Sequence, residues 1–168
     1  EAHDIYQKII SLAFKDKNNL SWVGINWLGE SNVGHLSNLD PFIYNGNLGI
    51  AIFLEAYGKI FKNNNAKKYA YKSVRNIIEN IRLNNKTNFL QNQSIGGLVG
   101  LGSLIYGFCA LYNIGKKKIY LNTSLSILKK IDLEQINKDK SLDILDGVSG
   151  LILSLIYMNK ILVNGKKI

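Results

Sequence analysis

Asp143 is the residue of this sequence best placed to do chemistry. It lies four residues before the first glycine of a G-x-x-G pair, Gly147 and Gly150. Two earlier copies of that pair carry Phe42 and Gln93 at the same position, so the scaffold does not require a carboxylate there. A carboxylate at a helix start could accept or return a proton. It could also simply be favoured by the positive end of the helix dipole. Asp146 has Asn45 and Gly96 as counterparts, all acceptable N-caps, so capping is its expected role. Cys109, His3 and His35 are the only Cys and His residues, and they are far apart in sequence. A catalytic zinc site takes three protein ligands, so none is expected in this chain. Cys109, among Tyr106, Phe108, Leu111 and Tyr112, reads as a small buried hydrophobe. His35 reads as an exposed loop residue, and His3 has no expected role. Trp22 and Trp27 are expected to pack an insertion, and Tyr44 and Tyr106 to lie in the core.

The G-x-x-G pairs begin at Gly46, Gly97 and Gly147, which are 51 and then 50 residues apart. Each opens an apolar stretch. Three copies at near-constant spacing mark a structural repeat. Between them Ala70, Val74, Ile77, Ile78 and Ile81 form one stripe at helical spacing. Leu121, Leu125 and Leu128 begin a similar stripe, as do Ile5, Ile9 and Leu12. The stretches after the glycines are apolar nearly all round, which fits helices buried on most sides. Each unit therefore reads as an outer amphipathic helix followed by an inner helix. The inner helices are expected near 46–61, 97–113 and 147–162, with an irregular insertion near 20–43. Such pairs bury their faces only by stacking, and inner helices of this type favour closure into an (α/α) toroid.

Composition narrows the classes further. Hydrophobic residues make up 46% of the 168, which excludes disorder. A single cysteine excludes an internal disulfide, and no signal peptide is visible, which fits a cytoplasmic protein. The net charge of +9 favours acidic partners. The lysine clusters at 67–68, 116–118 and 166–167 lack the interleaved aromatics that stack bases, so nucleic acid is not expected. Residues 92–115 carry no charge, but Gly96, Gly97, Gly100, Gly102 and Gly107 break the run. Its counterparts meet Glu55 and Lys160, so no transmembrane segment is expected. The sequence begins at Glu1 and ends just after an apolar run, so it is expected to be a piece of a longer protein. An incomplete ring would expose inner-helix surface and dissolve poorly alone.

The stretch Ser21-Trp22-Val23-Gly24, followed by Tyr44-Asn45-Gly46-Asn47-Leu48-Gly49-Ile50-Ala51-Ile52-Phe53-Leu54, resembles the start of the cyclase domain of LanM-type (class II) lanthionine synthetases. Gly97-Leu98-Val99-Gly100-Leu101-Gly102 resembles that family's second glycine motif. Asp143-Ile144-Leu145-Asp146-Gly147-Val148-Ser149-Gly150 resembles its Asp-x-x-x-Gly-x-x-Gly motif. The resemblance implies an all-α fold: helical hairpin repeats of an (α/α) toroid, with about three of the seven hairpins of a LanC-like barrel in this chain. It implies a partner, a ribosomally made lanthipeptide precursor, and a cytoplasmic site of action with a possible membrane-associated export complex. It implies zinc in the complete domain, with ligands absent from this chain, and ATP for the dehydratase part of the full-length protein. The full-length form would dehydrate Ser and Thr and add Cys across the new double bonds to form thioether rings. Asp143 matches a catalytic carboxylate that assists proton transfer; this chain alone would be inactive.

Two other readings compete. One is a helical-repeat module that binds peptide without chemistry, in which Asp143 is dispensable. The other is a glycosidase on a similar ring, which needs carboxylates paired across the centre. Only Asp143 and Asp146 lie near one helix start, so such a pair is not visible.

Overall fold

The computed structural model describes residues 1–27, 34–83, 88–91 and 93–165. Among these the chain is all-α, with seven helices and two small antiparallel ribbons. In chain order they are α1 (Ala2–Ser11), β1 (Phe14–Lys15), β2 (Leu20–Ser21), β3 (Val23–Trp27), β4 (Gly34–Asn38), α2 (Asn47–Ile60), α3 (Asn64–Arg82), α4 (Leu101–Gly115), α5 (Lys118–Leu128), α6 (Leu133–Asn137) and α7 (Val148–Gly165). The inner layer is the row α2, α4, α7, and α3 and α5 lie outside it. Each inner helix packs closely on the outer helix that follows it, α2 on α3 and α4 on α5, and α4 packs as closely on the inner helix α7. The hairpins thus run inner to outer, the reverse of the grouping read from sequence. Short turns explain this. Asn63 caps α3 by accepting from the amide of Ala66 at 3.0 Å. Lys116 ends α4 in the left-handed region at φ 56°.

Among the described residues of the insertion near 20–43, Leu20–Ser21, Val23–Trp27 and Gly34–Asn38 are strand rather than irregular. Ile25 pairs with Leu36 and Val23 with Asn38, and the short β1–β2 ribbon precedes them. Trp22 between the ribbons is buried, and its indole Nε1 donates to the carbonyl of Ile9 at 2.8 Å. The side chain of Trp27 and the pair at 166–167 lie outside the described residues.

In α3 the whole stripe Ala70, Val74, Ile77, Ile78 and Ile81 is buried. The other two stripes hold in part: Leu121, Leu125 and Ile9 pack against the core, while Leu128, Ile5 and Leu12 are exposed. In α5 the buried face is Tyr120, Thr123, Ser124 and Ile127, while Leu128 is exposed. Small hydroxyl residues let α5 approach α4, and each satisfies its own oxygen locally: Thr123 Oγ1 donates to Ile119 O and Ser124 Oγ to Leu121 O, both at 2.8 Å. In α1 only Tyr6 is buried; its ring stacks on Tyr57 at 4.4 Å, leaving Ile5 and Leu12 exposed.

Glu55 on α2 is 1% exposed. Its Oε2 accepts from Lys117 Nζ at 3.0 Å and from the Tyr120 hydroxyl at 3.4 Å. The group ties one inner helix to the next hairpin turn. Burial, with Glu55 alongside, pushes the Tyr120 phenol well above its ordinary value.

The glycine pairs set the spacing of all this. A Cβ on the second glycine of each pair, Gly49, Gly100 or Gly150, would fall on the carbonyl oxygen six residues earlier, that of Ile43, Ser94 or Ile144. Each loop therefore lies flat on the first turn of the inner helix it feeds. Gly100 also has φ +102°, which disfavours any L side chain. It starts α4 at Leu101, four residues later than the expected 97. At Gly150 the added atom would also meet Gly97 of the neighbouring unit. Gly150→Ala should lower stability by about 3 kcal/mol, since backbone must move. Gly24→Ala, which meets only the flexible end of Leu39, should stay within about 1 kcal/mol. Urea melts of the two variants check this, and equal losses would contradict it.

Candidate functional site

The loops before α2, α4 and α7 are joined in series by backbone hydrogen bonds. Tyr44 N donates to Leu98 O at 3.3 Å; Gly97 N donates to Ile144 O and Leu98 N to Leu145 O, both at 3.0 Å. The starts of the inner helices therefore share one face of the row. Asp143 stands on that face, exposed, in the loop before α7.

The position of Asp143 is over-determined. Leu142, just before it, has φ 55°, an uncommon conformation for a bulky residue. It is held from both ends. Its amide donates to Asp139 Oδ2 at 3.2 Å, and its carbonyl accepts from Ser149 Oγ at 2.5 Å. Asp139 Oδ2 also accepts from Val148 N at 2.8 Å, the first residue of α7. Asp139 Oδ1 accepts from Ser141 N at 3.2 Å. One carboxylate thus closes the loop that carries Asp143.

Asp143 Oδ1 accepts from Asp146 N at 2.8 Å and from Gly147 N at 3.1 Å. The hydrogen bond from Asp146, the largest cause, holds its carboxyl below the usual carboxylate range, against a small opposing effect of burial. At neutral pH the group is ionised, suited to accept a proton or orient a cation rather than to supply a proton. Asp146 has a different place from the capping role expected. Its side chain lines an open polar cleft of about 430 Å³, shared with Gln93, Ser94, Gln135, Lys140 and Ser141. The helix-start acceptor is Asp139, which motif spacing did not single out because it has no counterpart in the repeat.

Cys109 is fully buried on α4, with Sγ 3.5 Å from Ser124 Oγ, and burial pushes its thiol up. His35 is exposed, on strand β4 rather than in a loop. His3 has a packing role that sequence did not suggest: Nδ1 lies 2.7 Å from the Tyr57 hydroxyl. These three residues are not brought together. Among the described residues no group of three or more His, Cys, Asp or Glu could hold a metal ion. Tyr44 and Tyr106 were expected in the core, but are 71% and 40% exposed. Tyr44 lies in the loop before α2, and Tyr106 lies within α4.

Residues 37–168 match the family model of lanthionine synthetase C-like proteins. The chain belongs to this family. LanC-like proteins are of the lanthionine synthetase type and act on peptides. The match covers all three inner helices of the present LanC-like chain. No curated protein matches the sequence. No helix among the described residues is long and apolar enough to cross a membrane.

The Asp143 carboxyl should titrate below about 3.9, the value of an unperturbed Asp. Its folded pKa is the lower one, so the stability it lends the loop is complete above the unfolded pKa. That stability is lost as pH falls through the folded pKa. Carboxyl-carbon NMR titration of the folded chain reads the midpoint; a value at or above that of a free Asp would contradict the hydrogen bonding described.

Proposed function

We propose that this chain forms the first part of the cyclase domain of a LanM-type (class II) lanthionine synthetase, working in the cytoplasm on a ribosomally made lanthipeptide precursor. Its own contribution to the chemistry is Asp143. The reading is supported chiefly by an exposed, ionised carboxylate fixed on the shared face of the inner helix starts, in a chain of the LanC-like family.

The reaction adds a cysteine thiol of the peptide to a dehydroalanine or dehydrobutyrine of the same peptide. The S–H bond breaks and sulfur bonds to the β-carbon. The displaced π-electrons pass to the α-carbon and its carbonyl as an enolate, which then takes a proton at the α-carbon. A thiol is a weak nucleophile until deprotonated. Asp143, as a carboxylate, serves that stage by accepting the proton or orienting the group that takes it. A carboxyl that has taken the thiol proton can return it to the α-carbon of the enolate, so the proton count closes. The polar cleft beside Asp146 holds the peptide backbone near the reacting carbons through its amide and hydroxyl side chains.

Zinc does not fit the residues present, since Cys109 is enclosed and the two histidines lie elsewhere. In this reading zinc for cyclisation and ATP for dehydration are held by other parts of the complete enzyme, and this chain alone is inactive. Asp143→Asn in the full-length enzyme should slow ring closure by roughly 10²–10⁴-fold, the usual contribution of acid–base catalysis. Peptide affinity should stay within about twofold, because the reacting proton and not the ground-state peptide is what the carboxylate serves. Ring closure is scored by loss of alkylatable thiol in a pre-dehydrated peptide. An unchanged rate would leave a peptide-binding module without chemistry.

A further inference from the structure

Helix α4 has α2 on one side, α7 on the other and α5 behind it. From Leu101 to Leu111 every residue is buried except Tyr106. Tyr106, 40% exposed, is thus the one residue of this stretch open to solvent, on a side that borders α7.

Tyr106 stacks on Tyr157 of α7, with ring centroids 4.6 Å apart. Beside it is a small pocket of about 120 Å³, lined by Gly97, Leu98, Ile144, Gly150, Leu153 and Ser154 as well as Tyr106. Its floor is the place where Gly97 and Gly150 meet without side chains. The one side-chain polar group besides the phenol is the Ser154 hydroxyl, and it is spent on Gly150 O at 2.8 Å. The rim residues Ile144 and Leu153 are about half exposed, at 55% and 50%. Ile144 directly follows Asp143, so the pocket opens beside the candidate catalytic carboxylate.

We propose that this pocket is a specificity subsite that takes one apolar side chain of the peptide substrate next to the reacting dehydro residue, with Tyr106 as its wall. The inference rests on the peptide-cyclase reading of the site. An apolar pocket of this size accepts an isobutyl or isopropyl group and gains little from a methyl. Anchoring that side chain sets which carbon is presented at Asp143. Tyr106 is a binding residue in this proposal and takes no part in proton transfer.

The test uses the full-length enzyme and a fluorescein-labelled linear peptide with one dehydroalanine and a cysteine four residues on. The peptide is made with either Leu or Ala beside the dehydroalanine. Wild-type enzyme should bind the Leu peptide roughly tenfold tighter by anisotropy. Tyr106→Ala, and separately Leu153→Trp, should erase that preference, so that the two peptides bind within about twofold of each other. Leu153 is half exposed, so the second variant fills the pocket without disturbing the core. Equal preference in wild type and both variants overturns the subsite and leaves the cyclase reading standing. A Tyr106-dependent preference in an enzyme that closes no ring supports the subsite and removes the cyclase reading.

Discussion

Each loop that feeds an inner helix lies against that helix's first turn, closer than any Cβ would permit, at Gly49, Gly100 and Gly150. This one steric condition sets several others. It fixes where each helix begins. It brings the loop of one unit within hydrogen-bonding reach of the next, so that Gly97, Leu98 and Val99 donate to the carbonyls of Ile144 and Leu145. It also determines how near α4 and α7 pack, because Gly97 and Gly150 touch through backbone. Buried amides need partners, and here the neighbouring loop supplies them in place of strand or solvent.

The chemistry proposed for Asp143 depends on that scaffold. Its loop is held by Asp139 and Ser149 acting on Leu142 from either side. The left-handed Leu142 next to an exposed ionised carboxylate is a local cost that the two hydrogen bonds offset. Backbone conformations of this kind persist where the surroundings over-determine them. The polar cleft and the apolar pocket flank the same loop, so one segment separates a hydrogen-bonding surface from a hydrophobic one.

Much of the fold was legible because period and spacing are one-dimensional signals. The stripe in α3 and the three inner helices follow from apolar spacing and the glycine pairs, and Asp143 stood out by internal comparison. What was missed depends on contacts remote in sequence. The buried face of α5 was only half legible because Ser124 looks like a surface residue until Cys109 is packed on it, and Thr123 until Ile78 and Ile81 of α3 are beside it. Tyr120 is chosen over Leu121 because it reaches Phe108 and Glu55. Val23, Ile25 and Trp27 do alternate in β3, but its partner β4, Gly34-His35-Leu36-Ser37-Asn38, has one apolar residue and gives no strand signal. Asp139 left no trace, since its partners are backbone amides up to nine residues away. Tyr106 was placed in the core because an aromatic in an apolar helix usually is; only the arrangement of α2, α5 and α7 around α4 shows which side stays open.

The most direct test of the loop-on-helix constraint is native-state hydrogen exchange at the amides of Tyr44, Gly97, Leu98 and Val99, compared with amides in the middle of α4. If the glycine contacts lock neighbouring units together, these loop amides exchange only through the opening that exposes α4, with free energies matching it within about 1 kcal/mol. Exchange at the rate of an exposed loop, with α4 still protected, would mean that the helices hold the row together and the glycine loops merely follow.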